Sequence, residues 1–262
     1  MSERYDVIII GTGPAGIFSA LELVKQQGLK VLMIEKGGDI RSRSCPMKDA
    51  DVPCIQCELC GILCGWGGAG AYSDGKLTLT SEVGGWLNEY LPQETLDQLI
   101  AHVDSVYRLF GAVQEVHGED LEAVKRLQKK AAGYDLALIP ARIRHIGTDL
   151  CREVLKNIHD HLRGNVTIRF DTQVSQVTVQ QGVVTGVRTQ DGNEYQARVV
   201  IAAVGREGSP WLSGEAKRLG LSSQNNPVDI GVRVELPASI MKDITDVTYE
   251  EKFFYYAKRF HD

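Results

Sequence analysis

Apolar residues follow two rhythms along this chain. Unbroken runs come first: residues 5–10 and 30–34 are rich in Val, Ile, Leu and Met with no alternation, which is how parallel strands covered on both faces read. Between them, residues 17–25 repeat apolar positions at helical spacing until Gly28 supplies a stop. Helical periodicity returns at 93–110, 119–132 and 148–162, with Gly111 and Gly133 ending the first two. Strand patterns then take over at 166–170, 174–179, 183–187 and 195–202, where Gln181-Gly182 and Asp191-Gly192 mark the turns of a meander. After Asn225-Asn226-Pro227, residues 228–235 alternate apolar and polar side chains and predict one more strand, followed by an aromatic stretch at 249–260.

The turn between the first strand and the first helix reads Gly11-Thr12-Gly13-Pro14-Ala15-Gly16. Gly11 permits a tight turn, Gly13 lets the backbone approach a pyrophosphate, and Gly16 lets the helix pack closely on the strand. Pro14 suits the first helical turn and Ala15 continues it. A phosphate there meets unpaired N–H groups and the positive end of the helix dipole. The second strand ends at Glu35, about twenty residues beyond the glycines, where a carboxylate can accept hydrogen bonds from a ribose 2′-hydroxyl. Strand, glycine turn, helix, strand and acid in this register predict a Rossmann-like dinucleotide site.

Composition narrows the function classes. The chain has 262 residues, 43% hydrophobic and 24% charged, with 34 acidic against 29 basic residues and a net charge of −5. No basic block is present, so the footprint of a nucleic-acid binder is missing. No apolar stretch approaches the roughly 20 residues of a bilayer span, and residues 1–10 carry no export-type leader. A cytoplasmic protein acting on a small molecule, of open oligomeric state, is the expectation.

Cys54, Cys57, Cys60 and Cys64 are spaced C-x₂-C-x₂-C-x₃-C, the spacing of bacterial ferredoxins, although Gly65 rather than proline follows Cys64. Cys45 is an equally good fourth ligand. An iron–sulfur cluster, a structural zinc, a redox-active pair and free thiols all fit this spacing. Cys151, on a helix, reads as packing. His145, His159 and His161 lack a carboxylate or cysteine at ligand spacing and read as solvated or capping residues; Arg142 and Arg144 call for no special role.

The fingerprint at 11–16, the meander and the small-residue turn Ala203-Val204-Gly205-Arg206 together resemble the glutathione-reductase-like FAD superfamily. The stretch 54–60 followed by Gly67-Gly68-Ala69-Gly70-Ala71-Tyr72-Ser73-Asp74-Gly75-Lys76 is similar to a bacterial family of NAD(P)/FAD-dependent oxidoreductases. The resemblance implies an FAD-dependent dehydrogenase with NAD(P)H as a candidate donor and an unassigned substrate. It places Gly67, Gly68, Ala203 and Gly205 beside the cofactor and the backbone of Val174 at the adenine edge, and it makes Lys76 a candidate neighbour of the flavin. It also implies an α/β FAD/NAD(P)-binding domain over 1–225, with a parallel sheet, a β-meander crossover, and helical and Cys-rich insertions at 37–165. Residues 226–262 would begin a substrate domain that lacks its remainder. Two rival expectations stand beside it: a non-catalytic nucleotide-binding remnant, and a module whose cysteines bind metal or sense redox state.

Overall fold

The computed structural model describes residues 3–226 and 228–257. In chain order the elements are β1 (Glu3–Ile10), α1 (Pro14–Leu23), β2 (Val31–Ile34), the short α2 (Pro46–Asp49), β3 (Lys76–Thr78), α3 (Gln93–Leu109), α4 (Leu121–Ala132), β4 (Leu136–Ile139), β5 (Ile143–His145), α5 (Thr148–Leu162), β6 (Thr167–Arg169), β7 (Val174–Gln180), β8 (Val183–Thr189), β9 (Glu194–Ala202), α6 (Ser209–Arg218), α7 (Ala238–Thr245) and β10 (Lys252–Tyr255). They fall into two compact units, one of Met1–Ser73 with Cys151–Pro227 and the other of Asp74–Leu150 with Val228–Asp262.

The first unit is built on a six-stranded sheet in the order β6-β2-β1-β9-β8-β7. β6, β2, β1 and β9 run parallel, and β9, β8 and β7 form an antiparallel meander continuous with them. The uninterrupted apolar run of β1 is explained by its place: paired on both sides, it is also covered on both faces. Ile8 and Ile10 join Leu32, Ile34, Val174, Val187 and Tyr195 in one core layer, against which Trp211 of α6 packs. Ile9 points the other way, toward α1. Each such side chain contributes about 1.5–3 kcal/mol on burial. The hairpin between β7 and β8 turns on Gln181 and Gly182, both at positive φ (51° and 78°), as a two-residue turn matched to strand twist requires. α6 is anchored to β7 by Trp211, whose indole N–H donates to the Ser175 carbonyl at 2.9 Å, and by Glu215, which accepts from the Val177 N–H at 2.7 Å.

The second unit pairs β4 with β10 and β3 with β5, both antiparallel. The β4–β10 ladder is why residues 74–150 group with 228–262, whereas the sequence reading counted them among insertions of a domain spanning 1–225. Residues 228–235 depart from expectation more sharply. They form no strand among the described residues; Ile230 is 95% and Val232 90% exposed. Alternation prepared them for a sheet, but no strand lies beside them to take their backbone hydrogen bonds. Of the aromatic stretch, Lys252–Tyr255 becomes β10 and residues 258–260 lie outside the described residues, as does Pro227. α6 and α7 had no counterpart in the hydrophobic pattern. Among the described residues no helix is long and apolar enough to cross a membrane.

Candidate nucleotide site

The carboxyl ends of β1, β2 and β9 meet at the glycine turn. Gly11 donates to the Ile34 carbonyl and Ala203 to the Ile10 carbonyl, each at 2.8 Å, so the three strand ends are tied together. Gly11 has φ +99°, and a Cβ there would lie 2.5 Å from the Ala203 carbonyl oxygen. At Gly16 a Cβ would lie 2.0 Å from the Gly11 oxygen, which fixes how closely α1 packs on the strand. Gly13 is different: nothing stands within 4 Å of where its Cβ would be. It is the N-cap of α1, no side chain caps that end, and Pro14 opens the helix. Donors at a helix N-terminus are thus left for a ligand, and the backbone leaves room for it.

A cleft of about 880 Å³ opens at this point. Gly11, Gly13, Pro14, Glu35, Gly68, Val174, Ala203 and Gly205 all line it, so residues named from five separate stretches of sequence are brought together. Ala15, Gly16 and Gly67 stand outside the lining; Gly67 instead donates to the Thr12 carbonyl at 2.9 Å, docking the second glycine-rich loop on the first. That loop runs into a short 3₁₀ turn, Gly68–Tyr72, and Ala69 and Gly70 complete the cleft wall.

Glu35 occupies the expected wall but has an unexpected set of partners. One carboxylate oxygen accepts from the Thr12 N–H at 2.9 Å and the Thr12 hydroxyl at 3.0 Å; the other accepts from the N–H groups of Gly37 and Gly65, both at 2.9 Å. Next to it, Lys36 donates to Glu207 at 2.8 Å, and both line the cleft. Burial opposes the Lys36 charge most, but the hydrogen bond to Glu207 and the nearby acidic groups together outweigh it and hold the ammonium pKa above its ordinary value.

The cysteines do not assemble into a metal site. Among the described residues no group of three or more His, Cys, Asp or Glu side chains is placed to hold an ion. Cys54 and Cys57 are exposed on a stretch without regular structure, Cys60 is half-buried, and Cys45 and Cys64 are buried. Gln56, between Cys54 and Cys57, has φ +51°. Cys64 instead joins the cleft wall. Burial pushes its thiol pKa up, against the pull of Lys36, so it stands there as a neutral thiol. Cys151 is buried, as its helical position implied.

Three polar residues carry more structure than their sequence context announced. Arg43, in the loop after β2, is buried and donates to the carbonyls of Gly61, Ile62, Trp66 and Gly68 at 2.5–3.2 Å, while its guanidinium lies over the Tyr72 ring at 5.0 Å. Burial lowers its pKa. His159 corrects the solvated reading: it is buried, meets Trp66 edge-on at 4.9 Å, and links Arg41 at 3.1 Å to Asp39 at 3.3 Å. Its signal was present, since it falls on the buried stripe Cys151, Val154, Leu155, Ile158 and Leu162 of α5. His161 is exposed. In the second unit Arg144 is a buried hub, paired through two nitrogens with Asp104 at 2.6 and 2.8 Å and donating to the carbonyls of Val113 and Gln114. There too His145 stacks on Tyr249 at 4.5 Å, and Lys76 pairs with Glu250 at 2.6 Å.

A family model described as pyridine nucleotide-disulphide oxidoreductase matches residues 5–52, a stretch that holds most of β1, all of α1 and β2, and Glu35. An uncharacterized protein of Clostridium beijerinckii is 26% identical over 239 residues, covering 89% of this chain and 37% of that protein. A digeranylgeranylglycerophospholipid reductase of Methanosarcina mazei is 25% identical over 201 residues, covering 73% of this chain and 43% of that protein. The chain therefore spans well under half the length of these relatives. Among solved structures, the L-amino acid deaminase of Proteus vulgaris superposes with a TM-score of 0.49 at 16% identity, over 84% of this chain and 51% of that one.

Proposed function

We propose that this chain is the FAD-holding part of an oxidoreductase and that the cleft at the end of β1 seats the adenosine-diphosphate half of the cofactor. The observation that carries this reading is the convergence of an uncapped helix N-terminus, the open space at Gly13 and the ends of three strands on one cleft. The pyrophosphate would lie against the first turn of α1, where the helix dipole and free N–H groups stabilise it without a lysine. Val174, Ala203 and Gly205 would form the adenosine wall. Gly68, Ala69 and Gly70 bring a second backbone turn to the same cleft, which favours a cofactor extending beyond the pyrophosphate over a nicotinamide nucleotide alone. The meander β7–β9 supports the same choice, since it replaces the continued strand–helix alternation of a short NAD domain.

Bound FAD would supply a hydride or electron acceptor; this chain's residues bind it, orient it and set the charge around it. Lys76, tied to Glu250 within the second unit, has no role in this reading. NAD(P)H is the reductant to try first, because the matching family model is named for pyridine nucleotide chemistry. The substrate and acceptor stay open.

The test is an anaerobic purification with an absorbance spectrum and with flavin, iron and zinc quantified on the same sample. Stoichiometric FAD supports the reading. A colourless protein that binds neither FAD nor ADP overturns it, and stoichiometric iron or zinc would return the cysteine stretch to the chemistry.

A further inference from the structure

The nucleotide reading makes no use of the exposed cysteine stretch, yet that stretch holds the accessible nucleophiles of the first unit. Cys45, Cys64 and Cys151 are buried, whereas Cys54 and Cys57 are exposed and Cys60 is half-buried. Thiol–disulfide exchange requires that one thiolate reach a disulfide sulfur and that a second thiol then reach the mixed disulfide so formed. Exposure satisfies the first requirement, and the shape of the backbone decides which two cysteines satisfy the second.

Between Cys57 and Cys60 the chain bends at both intervening residues, Glu58 and Leu59, whereas no bend falls at Ile55 or Gln56, between Cys54 and Cys57. Residues three apart on an extended chain are separated by about 10 Å, and a disulfide needs Cα atoms within about 7 Å. Consecutive bends bring the ends together; an unbent segment keeps them apart. The two members of the bent pair also differ in support. Among the described residues, none of 51–59 gives or takes a backbone hydrogen bond. Cys60 instead begins a tethered turn, its carbonyl accepting from the N–H groups of Leu63 and Cys64 at 3.1 and 2.9 Å. Arg43 holds the next two carbonyls, those of Gly61 and Ile62, each at 2.8 Å, and a Cβ at Gly61 would lie 2.0 Å from the Ser44 oxygen. Cys57 thus stands on untied backbone facing solvent, and Cys60 on anchored backbone behind it. Neither lines the nucleotide cleft.

We propose that Cys57 and Cys60 form a dithiol site for exchange with small-molecule disulfides, Cys57 as the entry thiol and Cys60 as the resolving one. The Cys57 thiolate attacks one sulfur of the oxidant, forming a mixed disulfide and releasing one thiolate. The Cys60 thiolate then attacks the Cys57 sulfur, closing the Cys57–Cys60 bond and releasing the second. Two protein thiols are oxidised, one disulfide is reduced to two thiols, and the two protein protons pass to the departing thiolates.

The experiment incubates the reduced, desalted chain of residues 1–262 with oxidised glutathione under nitrogen. Remaining thiols are trapped with N-ethylmaleimide in denaturant and mapped by mass spectrometry, with zinc and iron quantified on the starting sample. Wild type should lose two trappable thiols, retain no glutathione and carry a new link joining Cys57 to Cys60. Cys60→Ser should stop at a glutathione adduct on Cys57, and Cys54→Ser should close as wild type does. A link that involves Cys54, stable glutathione adducts on wild type, or a full set of thiols still trapped overturns the proposal, as does stoichiometric zinc or iron bound by these thiols. Each of these outcomes leaves the nucleotide reading to be decided separately by FAD or ADP binding.

Discussion

β1 and residues 228–236 are both rich in Val and Ile, yet they end in opposite states. In β1, Val7 to Ile10 are all buried, and the strand is paired with β2 on one side and β9 on the other. In Val228-Asp229-Ile230-Gly231-Val232-Arg233-Val234-Glu235-Leu236 every residue is exposed and no ladder forms among the described residues. The alternation of 228–236 is the cleaner strand signature, since a short unbroken run such as 5–10 can also be a buried helix segment. The difference teaches that periodicity reports what a segment is suited for, while a strand exists only when its backbone finds neighbours and its apolar side finds a second layer.

The same substitution in both places gives the sharpest contrast. Ile8→Ala removes a fully buried side chain and should cost about 2–5 kcal/mol in urea unfolding; a loss under about 1 kcal/mol would mean that β1 is not the core strand described. Gly11→Ala, at the turn that ends β1, should cost about 1–3 kcal/mol from backbone strain, with added loss from the collision with Ala203. It should also weaken ADP binding, whereas a variant of unchanged stability and affinity would show that the turn can open.

β7 lies between the extremes, since it is paired and held to α6 by Glu215. Arg218 donates to Glu215 and, against the cost of burial, lowers its pKa, with the Val177 N–H adding to the effect. A lowered native pKa gives stability that is present at neutral pH and is lost as pH falls below the ordinary glutamate value of about 4.3. Glu215→Gln should therefore cost about 1 kcal/mol at pH 7, allowing for the half-exposed Arg218, and flatten the acid limb of a melting-temperature profile. An acid limb as steep as that of wild type would assign the dependence to other groups. Ile230→Ala should change stability by under about 0.5 kcal/mol; a larger loss would show that 228–236 is packed in solution.

Much of the first unit was legible because its signals are local. Strand, glycine turn and helix follow one another within residues 3–23, and Gln181-Gly182 carries its own turn chemistry. The meander and α5 announced themselves by period, α5 with bounds Thr148–Leu162. What stayed hidden is made of distance. The partners of Glu35 come from positions 2, 23 and 30 residues away, and those of Arg43 from 18 to 25 residues away. α6 carries Gly214 in its interior, so propensity argued against it; its place depends on Trp211 and Glu215 finding β7. The cysteine spacing did not convey that Cys54 and Cys57 lie exposed on an irregular stretch while Cys45 and Cys64 are buried.

The carbonyls gathered by Arg43 have a consequence on the opposite side of the loop. A trans peptide unit points its oxygen and its N–H in opposite directions. With the Gly68 oxygen drawn to the guanidinium at 2.8 Å, the N–H of Ala69, a residue of the cleft wall, is directed away from that cation. Arg43 therefore acts as a hidden polariser: its charge sits behind the loop, and peptide groups relay it outward as partial positive charge. An anionic guest would meet this attraction without meeting a mobile side chain.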